Sequence, residues 1–118
     1  MNNYRIVSNE DMEKALDWLV NSAGEIGTAK KRAIKAGHML KYTEAFQFKL
    51  SEASSNDKRQ ADARTSQDYL NAINEDAEAA GELAKLYALR EAAAMRIEAW
   101  RSEQATMRNA DRHMGRAS

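Results

Sequence analysis

The chain has no cysteine and no proline, and only five glycines in 118 residues, at positions 24, 27, 37, 81 and 115. Without cysteine there is no disulfide, no thiol nucleophile and no zinc–thiolate site. Average usage would give a chain of this length about six prolines. Proline and glycine punctuate turns and interrupt helices, so a chain nearly free of them can run helical for many turns. Aromatic residues make up 7% of the sequence, and the runs of β-branched and aromatic residues that mark strands are missing. No stretch approaches the ~20 apolar residues of a membrane span. Met1 to Val7 lacks the apolar core of a secretory signal. A cytoplasmic location without membrane association is therefore expected.

Charge of one sign is also missing overall, since 18 basic residues balance 18 acidic ones. Whole-molecule attraction to nucleic acid is not indicated, but the distribution is uneven. Residues 1–29 carry two basic and five acidic side chains. Residues 30–49 carry six basic ones (Lys30, Lys31, Arg32, Lys35, Lys41 and Lys49) against the single acid Glu44, and residues 69–90 return to two against four. A basic segment inside a neutral chain is either a binding face or a solvated helix face.

The residues that are abundant (alanine, glutamate, lysine, leucine and arginine) are good helix formers. Ser8, followed by Asn9, Glu10 and Asp11, has the form of a helix N-terminus. An apolar stripe at Met12, Leu16, Leu19, Ala23, Ile26, Ala33, Gly37 and Leu40, with a polar gap at Lys30, predicts a helix packed lengthwise on another. We expect an N-terminal extension over 1–8, a first long helix over 9–50 that Gly24 and Gly27 allow to bend or break, and a turn over 51–56. A short helix over 57–72, a long terminal helix over 75–110 and a frayed tail over 111–118 follow.

The fold class is thus all-α, with long antiparallel helices forming a hairpin around a short middle helix in a single helical domain. A helix of ~40 residues would be ~60 Å long, and two such rods cannot close a globular core. Leu83, Leu86, Ala93, Ile97, Trp100, Gln104 and Met107 mark one seam of the terminal helix, and Ala77, Ala80, Ala84, Tyr87 and Ala94 a neighbouring one. Apolar side chains on more than one face of a helix need more than one neighbour. A homo-oligomer is expected to complete the fold, with Leu83, Leu86, Tyr87, Ile97, Trp100 and Met107 at its interface. The small residues Ala23, Gly27, Ala33 and Gly37 would allow close helix approach.

Nothing in the sequence assembles a catalytic constellation. The two histidines, His38 and His113, lack the carboxylate three residues earlier that a helical di-iron site uses, and no glycine-rich phosphate loop is present. The acids Glu75, Asp76, Glu78 and Glu82 suit the first turns of a helix. The expectation is a non-enzymatic protein without metal or cofactor.

Two polar features remain. Lys31, Lys35, His38 and Tyr42 are spaced four, three and four apart and so share a helix face, with Lys30, Lys41 and Lys49 nearby and Phe46 and Phe48 close behind. Cations beside aromatic rings suit single-stranded nucleic acid, whose phosphates meet the ammonium groups and whose bases stack on the rings. The plainer reading makes the phenylalanines core and the lysines solubilising. Near the C-terminus, Arg101, Arg108, Arg112 and Arg116 fall on one face at spacings of seven, four and four. They suit phosphate contact, or ion pairs to Glu98 or Glu103 or between subunits.

With Met39-Leu40-Lys41 and Glu44-Ala45 on a helix, a break rich in serine and asparagine, and a long alanine-rich terminal helix, the chain resembles phage recombination mediators of the UvsY type. The stretch from Ser66-Gln67-Asp68-Tyr69-Leu70 through Leu86-Tyr87-Ala88-Leu89-Arg90-Glu91-Ala92-Ala93 to Ile97-Glu98-Ala99-Trp100-Arg101-Ser102 is similar to the terminal half of small phage recombination proteins, and the likeness covers residues 28–110. The resemblance implies a ring-shaped homo-oligomer that tracks single-stranded DNA on a basic surface, with a RecA-like recombinase and a single-strand binding protein as partners. The family's DNA-contacting basic residues follow the Glu-Ala pair. Here Phe46, Gln47 and Phe48 follow it instead, and only Lys41 and Lys49 carry over. Two readings result: a non-catalytic accessory factor that binds single-stranded DNA and helps load a recombinase, or a helical protein–protein module such as a phage-type inhibitor or assembly scaffold.

Overall fold

A computed structural model describes the backbone of residues 7–117 and the side chains of residues 7–114. It is all-α, a pair of long helices with a short one between them: α1 spans Asn9–Leu50, α2 Asn56–Arg64 and α3 Gln67–Ala117.

Local chemistry sets each boundary. The Ser8 Oγ accepts from the Asp11 amide at 3.0 Å, while the Ser8 amide donates to the Asp11 carboxylate at 3.3 Å. This reciprocal pair satisfies donors that a helix start leaves open. These bonds from Ser8, the backbone one foremost, hold the Asp11 carboxyl below its usual pKa. α1 then runs through Gly24 and Gly27 without interruption. At its end the Ser51 Oγ donates to Asp62 at 2.6 Å and accepts from the Ala53 amide at 3.2 Å, turning the chain toward α2. Ser55 caps α2 by accepting from the Lys58 amide.

Ser66 both ends one helix and starts the next: its Oγ donates to the Ala63 carbonyl at 2.7 Å and accepts from the Tyr69 amide at 3.1 Å. α2 therefore stops at Arg64 rather than at 72, and α3 begins at Gln67 rather than at 75. Asn74 and Glu75 lie inside α3, and the carboxylate of Glu75 is occupied by Arg32 at 2.8 and 2.9 Å. α3 extends past 110 through residues 111–117, and residue 118 of the expected tail lies outside the described residues.

The contacts divide the chain into two compact units, one of Met1–Ala23 with Tyr87–Ser118 and one of Gly24–Leu86. In the first, the start of α1 lies antiparallel to the later part of α3. The Val7 amide donates to Glu103 Oε2 at 3.2 Å and Trp100 Nε1 to Asn9 Oδ1 at 2.6 Å, over buried Val7, Ala15 and Ala93. In the second, α1 and α3 are again antiparallel, tied by Arg32 to Glu75 and by Gln47 to Asp68. Ile26, Ala29, Ala36, Ala63, Ala79 and Leu86 are buried there.

The seam of α1 differs from the stripe expected of it. Leu16 and Ala23 are exposed, as is the polar gap at Lys30, whereas Ala15, Ser22, Ala29 and Ala36, each seven residues from the next, are buried. They alternate with Met12, Leu19, Ile26, Ala33 and Leu40, all buried or half-buried. The spacing of three and four is that of a coiled-coil seam, in which a row of small residues alternates with a row that includes the large apolar Met12, Leu19, Ile26 and Leu40. On α3 the buried positions Ala79, Leu86 and Ala93 repeat the interval of seven. The small residues expected to bring helices together do not include Gly27, around which a β-carbon would find nothing within 4 Å. At Gly37 the nearest neighbour would be Asp76 Oδ1 at 3.8 Å. Among the described residues no helix is long and apolar enough to cross a membrane.

Candidate nucleic-acid interface

Because α1 is one continuous helix, spacing decides which of its cations act together. Lys31, Lys35, Met39, Tyr42, Phe46 and Lys49 are separated by four, four, three, four and three residues and occupy one face of the second unit. His38 lies at the edge of that face, between Lys35 and Tyr42. All seven are exposed. Lys30 and Lys41, eleven residues or about three turns apart, share a different face. The basic segment of the sequence is thus split in two, and only one half carries exposed rings.

Those rings lie against each other. Tyr42 and Phe46 stack with centroids 6.0 Å apart and planes inclined by 12°, although they are 60% and 45% exposed. Phe46 is therefore not a core residue of the described chain, while Phe48 is half-buried. An open groove of about 820 Å³ borders the stack, lined by Tyr42, Ala45, Phe46, Phe48, Lys49 and Gln60. Glu44 also lines it, but its carboxylate is held by Arg64 at 2.7 Å. A second groove, of about 380 Å³, takes in Lys31, Lys35 and Met39 alongside Arg32 and Glu75.

Ion pairing separates the cations by role. Arg32 forks onto Glu75 and stands 3.9 Å from Glu78. Arg64 is held by Glu44. The hydrogen bond in each pair raises the guanidinium pKa above its usual value, and the same bond lowers that of Glu75. Lys31, Lys35 and Lys49 enter no ion pair among the described residues. The paired cations fasten helices together, and the unpaired ones flank the stacked rings.

Of the arginine stripe, Arg101 pairs with Glu98 at 3.2 Å, and Arg108 and Arg112 are exposed. All belong to the first unit, and the side chain of Arg116 lies outside those described. The residues expected at a subunit interface are partly covered within the chain. Leu86 is buried, and Leu83, Tyr87, Ile97 and Trp100 are half-buried, with Arg90 4.6 Å over the Tyr87 ring and Trp100 bonded to Asn9. Met107 is 44% exposed. The apolar face of α3 that stays open in the second unit is Leu70, Ile73, Ala77, Ala80 and Ala84, spaced three, four, three and four.

Gln60 belongs to the site although no sequence signal points to it. Its place depends on α2 folding back beside the end of α1, which the Ser51–Asp62 and Arg64–Glu44 bonds secure. Compared with known protein families, with curated proteins and with solved structures, the chain matches none, so the reading of this face rests on its own residues.

Proposed function

We propose that the protein binds single-stranded DNA along the Lys31–Lys35–Lys49 face of α1 and serves as a non-catalytic, oligomeric accessory factor in DNA recombination that helps a RecA-like recombinase onto the strand. One observation carries the DNA-binding part: the lysines on this face are free of carboxylates, whereas Arg32 and Arg64 close by are paired. Unpaired lysines neutralise phosphates and release counterions, giving sequence-independent and salt-sensitive binding. The recombination role rests on the resemblance to UvsY-type mediators. Assembly into a ring would add weak contacts together through high effective concentration.

The test is fluorescence anisotropy with a labelled strand of about 30 nucleotides over a range of salt. Binding that weakens steeply with salt, and that is lost in Lys31→Glu/Lys35→Glu while helicity is kept, is the expected result. No binding at low salt removes this reading.

The second reading, a helical protein–protein module, is favoured by the uncharged Leu70–Ala84 stripe of α3. It predicts that Lys31→Glu/Lys35→Glu leaves function unchanged and that substitutions on the stripe abolish it.

A further inference from the structure

We propose that the Tyr42–Phe46 stack and the groove beside it take unstacked nucleobases, so that this face reads the bases of a single strand as well as its phosphates. The inference rests on the DNA-binding reading above and adds what that face selects. Two rings held parallel at 6.0 Å and half open to solvent offer the flat apolar surface on which a base continues a stack.

The same groove is lined by both rings, by Phe48 and by Gln60 of α2. The Gln60 side chain is exposed, and its amide can both donate to and accept from a base edge. Lys49 stands at the same groove, and Lys31 and Lys35 lie further along the face toward the start of α1, giving phosphates contacts on either side of the rings. The one acid in the groove, Glu44, is neutralised by Arg64 and does not repel the strand.

Bases inside a duplex are already stacked on one another and cannot reach this surface without unpairing, so the site favours single strands. Because every base has a π-face, it does so without reading sequence.

An abasic strand separates bases from phosphates. The full chain is titrated with a labelled oligodeoxynucleotide and with an abasic strand of equal length, at several salt concentrations. Wild type is expected to bind the ordinary strand about tenfold or more tightly than the abasic one, in line with the contribution of one stacked base. Tyr42→Ala/Phe46→Ala is expected to remove most of that preference while leaving the salt dependence unchanged. Phe46→Trp, which keeps a ring, is expected to retain it. Since both rings are exposed, circular dichroism should show unchanged helicity in these variants.

Equal, salt-sensitive binding of both strands by wild type would overturn the base-stacking inference and leave the phosphate reading standing. Failure of both strands to bind at low salt would overturn both. A preference for the ordinary strand that survives Tyr42→Ala/Phe46→Ala would place base contact elsewhere and overturn the assignment to this stack.

Discussion

Ser22 occupies a position that Ala15, Ala29 and Ala36 fill at the neighbouring intervals of seven. It is 4% exposed, and its Oγ has no hydrogen-bond partner among the described residues. A buried hydroxyl without a partner costs about 1–3 kcal/mol of desolvation, and alanine already fits the equivalent sites. Ser22→Ala is therefore expected to stabilise the fold by about 1 kcal/mol, read as a higher urea midpoint with unchanged slope. A lower midpoint would mean that the hydroxyl has a partner after all. Glu75 gives a pH-dependent counterpart. The Arg32 hydrogen bond holds its carboxyl below the usual range, so the pair's contribution is complete above the unfolded value of about 4.3. It is lost as pH falls through the lower folded value. The wild-type melting temperature should exceed that of Glu75→Gln near neutral pH, and the gap should close as the solution is acidified below pH ~4. Both side chains are half exposed, so the gap is small, and a gap that widened in acid would contradict the assigned direction.

α1 holds Gly24 and Gly27 within one unbroken helix, and a β-carbon at either position would meet nothing within 4 Å. Neither glycine is needed for close packing there, and each costs a helix roughly 0.5–1 kcal/mol relative to alanine through backbone entropy. Gly24→Ala/Gly27→Ala should raise stability by about 1–2 kcal/mol and increase helicity measured by circular dichroism. A loss of stability would show that the native state uses a bend at this point. The element scale is also where the sequence was most and least legible. Missing proline and alanine-rich periodicity are whole-segment signals, and they sufficed for two long helices around a short one. Boundaries depend on single side chains. Ser66 serves two helices through one hydroxyl, yet in sequence it is one serine among several, whereas Asn74-Glu75-Asp76, whose residue types suit either a new cap or a continuing helix, lies inside α3. The α1 stripe was right at Met12, Leu19, Ile26, Ala33, Gly37 and Leu40 but not at Leu16 and Ala23, which are exposed while Ala15, Ser22, Ala29 and Ala36 are buried. Hydrophobicity draws the eye to Leu16, but four small residues seven apart allow a close helix contact that large side chains would block. The basic segment was legible as composition, and its division into two faces required the continuity of α1. Gln60 was out of reach, because contacts distant in sequence bring α2 to that groove.

At the scale of the whole molecule, the buried hydrophobic residues larger than alanine among the described residues are Val7, Ile26 and Leu86, while thirteen large hydrophobics among them, from Leu16 to Met114, are exposed. Burial of an alanine methyl contributes about 0.8 kcal/mol at most, so a seam built on alanine leaves little surplus over the entropy of ordering the chain. Scattered exposed leucines are ordinary, but a contiguous uncharged face is not. Leu70, Ile73, Ala77, Ala80 and Ala84 form such a face at coiled-coil spacing. Self-association over this stripe would supply apolar burial that the single chain lacks, and it would couple folding to concentration. For a dimer, each tenfold rise in protein concentration adds about 1.4 kcal/mol to apparent stability, which for a chain of this size moves the melting temperature by several degrees. Melting followed at 222 nm from about 1 to 100 µM should therefore shift upward across the series, and Ala77→Glu/Ala84→Glu should abolish the shift while leaving the low-concentration melt nearly unchanged. A melting temperature independent of concentration would show that the chain folds alone, and would turn the same stripe into a surface for a different helical partner.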